Sequence, residues 1–106
     1  MKYNLHDISG KVIKNDEYGI VRENGQLGNI SMYSYFLYRN KSTKRFKFEN
    51  HECIYFFIDG KGIFELEKEI MYINRNDIIL APQSLSHRII NTGDIHMRFL
   101  ALKEKI

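Results

Sequence analysis

The chain has 106 residues, 43% hydrophobic and 27% charged, with a net charge of +3, which fits one folded domain rather than a disordered segment. No apolar run approaches the ~18–20 residues of a spanning helix, and the stretch from Met1 to Asp7 lacks the apolar centre of a secretory leader. Cys53, the only cysteine, cannot form an internal disulfide, so the expected setting is the cytoplasm.

One domain is expected over 1–106, with N-terminal strands or an arm over 1–29 and a barrel core over 30–102. Gly19, Gly25 and Gly28 have no strand-to-helix context and form no phosphate loop. Ile30 to Tyr38 is rich in aromatic and β-branched residues and reads as a strand. Arg39 to Lys47 is the densest basic stretch. It reads as a solvated loop whose lysines guard an edge strand, not as a nucleic-acid surface, which would need its charges gathered on one face. A strand over Cys53 to Ile58 then meets Asp59-Gly60, a pair that favours a tight hairpin turn.

In Ile63 to Glu67, Phe64 and Leu66 share one face and Glu65 and Glu67 the other, the alternation of a half-buried strand. A second hairpin returns through Glu69 to Ile73. The polar turn Asn74 to Asp77 offers Asn76 for a left-handed backbone. Asp77 to Ala81 reads as a buried strand ended by Pro82, the only proline. His87 to Asn91, a turn over Asn91 to Asp94, and Met97 to Leu102 complete the chain. With no helix beyond a turn near the N-terminus, this many short strands predict an all-β antiparallel barrel or jelly roll.

Residues 46 to 102 resemble the small single-domain cupins. That family's second motif is glycine, five residues, proline, one residue, glycine, two residues, histidine, three residues, asparagine. Here Asn76 stands at the first glycine, Ser84 at the second, and Pro82, His87 and Asn91 hold their spacing. Gly60 fits the glycine that closes the first motif. The resemblance implies a double-stranded β-helix, the cupin barrel.

The departures bear on function. Metal-binding members use a His-x-His pair, an acidic residue and the later histidine. In this register Lys47 and Glu49 replace the pair and Cys53 the acid, leaving His87 alone. A substitute metal set of Glu49, His51, Cys53 and His87 is conceivable if the segment is extended, because residues two apart share a strand face. The expected cofactor is therefore none, or a single divalent ion (zinc, iron, nickel or manganese). Cysteine at the acidic position resembles the thiol dioxygenases, but their histidine pair is missing and oxygen chemistry does not carry over. The resemblance also implies acid–base work of the sugar epimerase or keto-acid isomerase kind, with His87 as base and Tyr55 or Tyr35 as acid.

Two functions compete. One is a binding barrel holding a small sugar-like or carboxylate-like ligand in its mouth, with Lys47, Glu49 and Tyr35 as ligand-binding residues. The other is an enzyme with His87 and Tyr55 as its catalytic residues. His6 and His96 have no partner spacing and are expected on the surface. Arg88 and Arg98 should point out of the barrel.

From Phe46 to Ile58 both parities are apolar: Phe46, Phe48, Ile54, Phe56 and Ile58 on one, Tyr55 and Phe57 on the other. A wall strand apolar on both faces must hide its outer face too, which predicts a homodimer packed through that sheet. The other available cover is the segment from Met1 to Leu27 folding back. No nucleic acid or membrane partner is expected.

Overall fold

The structure, a computed structural model, describes Lys2, Asn4 and residues 10–106. Among these, nine strands run β1 (Lys11–Asn15), β2 (Gly19–Leu27), β3 (Ile30–Leu37), β4 (His51–Asp59), β5 (Gly62–Leu66), β6 (Glu69–Ile73), β7 (Ile78–Ala81), β8 (His87–Asn91) and β9 (Met97–Lys105). They form a six-stranded sheet in the order β1-β2-β3-β9-β4-β7 and a three-stranded sheet in the order β6-β5-β8. Every pairing is antiparallel. No helix among the described residues is long and apolar enough to cross a membrane.

The core lies between the sheets. Phe57, Phe99 and Met97 from one face meet Phe64, Ile73 and Ile89 from the other, all buried. Alternation makes this possible, because each wall strand sends every second side chain inward. In β8, His87, Ile89 and Asn91 all point in, and His87, expected at the barrel mouth, is fully buried. In β5 Phe64 faces the core, while Glu65 outside binds Arg45 and Arg88. Arg88 therefore points outward, where Glu65 of its own chain holds it.

Both positions where the family carries motif glycines have left-handed backbones: Asn76 at φ 73° and Ser84 at φ 67°. Asparagine accepts that conformation better than most residues, and serine less well. The Asn76 turn is closed by its amide donating to the Phe57 carbonyl, 2.8 Å, and the Ser84 turn by its amide donating to the Phe48 carbonyl, 2.9 Å.

The basic loop does more than shield an edge. Between β3 and β4 the chain runs along the free edge of β8, with bridges Ser42 to Ile90 and Phe46 to His87. The Phe46 and His87 amides each donate to the other's carbonyl, at 2.7 and 2.8 Å. An unpaired strand edge is thereby closed within the chain.

Four expectations are corrected. Asp59-Gly60 does not join paired strands: β4 pairs with β7 and β9, whereas β5 pairs with β6 and β8, so the turn crosses between sheets. Gly60 is still required there, since φ is +95° and an added Cβ would lie 2.9 Å from the Met97 Cα. Next, β7 is an edge strand with one open face, Ile78 and Leu80 being 59% and 63% exposed, rather than a buried strand.

Third, Phe46 and Phe48 do not share the outer face of Ile54 and Phe56. The bend at Glu49 and Asn50 breaks the alternation, and both rings turn onto His87. Last, β1 and β2 lengthen the six-stranded sheet beside β3 instead of folding over its outer face. The rest of that expectation, and His6, fall on Met1, Tyr3 and 5–9, outside the described residues.

Candidate functional site

The motif histidine sits at the centre of a closed aromatic cluster. His87 is 1% exposed. Its ring stacks on Phe64 at 5.4 Å and 8°, and Phe46, Phe48 and Tyr55 lie 5.5–5.6 Å away. Its Nε2 is 2.7 Å from the Tyr55 hydroxyl, and its Nδ1 is 3.4 Å from the Leu85 carbonyl. A carbonyl can only accept, so Nδ1 carries the proton and Nε2 accepts from Tyr55. Cys53 lies beside Tyr55 on the same inner face of β4. The result is a buried row of polar side chains, Cys53, Tyr55 and His87, closed by the Leu85 carbonyl.

Burial keeps every member neutral. It pushes the Cys53 thiol up to about 11, raises the Tyr55 phenol well above its usual range, and lowers His87 below 6.5 against the opposing pull of the Leu85 carbonyl. The sign of the linkage follows. The unfolded chain protonates His87 at a pH where the folded chain does not, so this contribution is complete above about pH 6.5 and is lost as the pH falls toward the folded value. His51 is shifted the same way, by burial and by Lys103 and Lys105. Urea unfolding at pH 7 and pH 5 should show lower stability at pH 5. His87→Asn, which keeps an acceptor for Tyr55, should reduce that difference; an unchanged difference would remove His87 from the linkage.

The other sequence-selected residues are dispersed. Lys47 and Glu49 form an exposed ion pair, 3.8 Å, and the Glu49 carboxylate also accepts from the Ser84 hydroxyl at 3.0 Å. His51 is half-buried with its ring 6.4 Å from that of Phe48. Tyr35 is half-buried, stacked on Phe99 at 4.7 Å, with its phenol pushed up to about 12 by burial. His51 and Cys53 do share the inner face of β4, but Glu49 lies in the bend before the strand and leaves that face.

These residues do not fit a metal. No group of three or more His, Cys, Asp or Glu side chains among the described residues is placed to hold an ion. The Nε2 of His87 is taken by Tyr55, and a ligand thiol must be a thiolate, the form that burial disfavours at Cys53.

A separate cleft of about 480 Å³ opens between the β1–β2–β3 corner and the 42–46 segment. Such volumes are usual for small-molecule sites, ~300–1,000 Å³. Its walls include Ile13, Ile20, Val21, Leu37 and Phe46, and Tyr35 is the one sequence-selected residue that lines it. Neither His87 nor Tyr55 does. Phe46 stands between, touching the cleft on one side and His87 on the other. Sequence reasoning missed the cleft because β1 and β2 carry no motif.

The fold is that of a cupin. A Thermotoga maritima protein described as a predicted oxalate decarboxylase superposes with TM-score 0.79 over all of both chains at 23% identity. TT1209 from Thermus thermophilus gives 0.85 at 15% identity, covering 98% of this chain and 96% of that one. An RmlC-like cupin from Shewanella frigidimarina gives 0.80 at 7%, covering 92% and 85%. At such identities the likeness carries the fold and not an activity.

No family model matches the chain. In sequence, the uncharacterized protein MJ1618 of Methanocaldococcus jannaschii is 31% identical over 49 residues, 46% of this chain. The match spans 39% of that relative's length.

Proposed function

We propose that the chain is a non-catalytic cupin barrel that binds a small molecule in the cleft beside Tyr35, without a resident metal. The observation that carries this reading is the separation of the two places. The motif histidine is sealed by Phe46, Phe48, Phe64 and Tyr55, while a ligand-sized cleft lies on the far side of Phe46. The free thiol of Cys53 is buried, in keeping with a cytoplasmic setting.

The enzymatic alternative has one observation in its favour, the 2.7 Å contact between Tyr55 and His87. Each is 1% exposed, however, and they are bonded to one another, so a substrate would have to displace both that bond and the covering rings. Titration with the apolar anionic dye 1-anilinonaphthalene-8-sulfonate tests the binding reading. Saturable one-to-one binding is expected, with amide shifts confined to 18–21, 35–37 and 42–46. Ser42→Trp, which fills the cleft, should abolish it. Shifts centred on His87, or binding undisturbed by Ser42→Trp, would contradict the reading.

We further propose that a second copy covers the outer face of the six-stranded sheet. There Ile54 pairs across to Leu80 and Phe56 to Ile78, and three of the four are exposed. Contiguous exposed apolar side chains of this kind mark interaction surfaces. Light scattering should give a dimer at micromolar concentration and a monomer for Leu80→Asp. A monomeric wild type would remove the second copy.

A further inference from the structure

Resting on the cleft-binding reading, we infer that the ligand is an amphipathic carboxylate, its apolar body against Val21 and Phe46 and its carboxylate against Lys44. The cleft carries three charged side chains: Lys14, Asp16 and Lys44. Two of them are already committed. The Asp16 carboxylate accepts from the Tyr18 and Gly19 amides at 2.9 and 3.3 Å and from the Lys14 ammonium at 3.5 Å. That pairing neutralises Lys14 and makes Asp16 a poor receptor for a cationic ligand. Lys44 has no carboxylate partner among the described residues. Its ammonium stands 5.8 Å over the Phe46 ring, beside the apolar wall.

Lys44, with Lys41 at the margin 5.9 Å over the Tyr18 ring, favours an anion over a cation, and the position of Lys44 next to the Phe46 ring selects an acid with an apolar body. A polar sugar is less well matched, since one hydroxyl of the wall, that of Thr43, is already in use. Thr43 Oγ1 donates to the Lys44 carbonyl at 2.8 Å and accepts from the Ile89 amide at 3.1 Å. A sugar needs several converging donors and acceptors, and beyond Thr43 the cleft offers only the side-chain hydroxyls of Ser42, Tyr18 and Tyr35 among apolar walls.

Calorimetric titration of the full chain with 4-phenylbutanoate, 4-phenylbutan-1-ol and glucuronate tests this. The acid should bind at least about tenfold more tightly than the alcohol, and glucuronate should bind more weakly than either. Lys44→Gln should remove the preference for the acid and leave the alcohol unchanged. Equal binding of acid and alcohol, or a preference that survives Lys44→Gln, would overturn the carboxylate assignment while leaving the cleft as a binding site. Binding of glucuronate alone would overturn the apolar body. Failure of all three probes, together with failure of the naphthalene dye, would overturn the cleft-binding reading itself.

Discussion

Replacing His87 with alanine is expected to destabilise the fold by about 3–5 kcal/mol, the range for truncating a large buried ring. The imidazole fills the space among Phe46, Phe48, Phe64 and Tyr55, so its removal leaves a cavity lined by rings. It also leaves the Tyr55 hydroxyl, 1% exposed, without its acceptor. His87→Phe separates the two effects: it keeps the stacking and removes only the polar partners of the Tyr55 hydroxyl and the Leu85 carbonyl, at a cost of about 1–3 kcal/mol. Adding Tyr55→Phe to His87→Phe should recover most of that loss, because replacing both partners by apolar groups of similar shape is nearly neutral. Urea unfolding of the three variants reads this directly. A loss below about 1 kcal/mol for His87→Ala would mean that the residue is not a packed core member.

Asn91→Ala is expected to cost about 2–4 kcal/mol, through several buried polar groups left unpaired at once. The side chain is 0% exposed and holds three backbone groups. Its Nδ2 donates to the Leu37 carbonyl at 3.1 Å and to the Ile95 carbonyl at 2.9 Å, and its Oδ1 accepts from the Gly93 amide at 2.9 Å. The asparagine thus ties the β8–β9 turn to the end of β3. Asn91→Asp is expected to be nearly as harmful. It keeps an acceptor for Gly93 but sets carboxylate oxygen against two carbonyls, which only a donor can satisfy. Tolerance of the aspartate would contradict the bonding pattern.

Much of the barrel was legible because strand alternation and turn chemistry are local. The inward set of β8 follows from His87, Ile89 and Asn91 lying two residues apart, and Asn76 announced its left-handed turn by being asparagine. Ser84 was legible only through the family's spacing, since serine gives no such signal. What failed was long-range. Asp59-Gly60 is a good turn whether its strands pair with each other or part to different sheets, and only the non-local partners of β4 and β5 decide which.

The candidate site failed to assemble for a related reason. Counting by twos from Glu49 to Cys53 assumes an unbroken strand, and the bend at Glu49 and Asn50 sends Glu49 out to Lys47 and Ser84. The inward turn of Phe46 and Phe48 onto His87 likewise depends on the pairing of the 42–46 segment with β8, which local sequence does not encode.

The most direct test of the sealed histidine is the nitrogen chemical shifts of the His87 ring at neutral pH, recorded with and without one equivalent of zinc. The expected result is a neutral ring protonated at Nδ1, with Nε2 bonded to the Tyr55 hydroxyl and neither nitrogen moved by the metal. A stoichiometric zinc-dependent shift of Nε2, with loss of the Tyr55 bond, would show that His87 is an open metal ligand and would contradict the account.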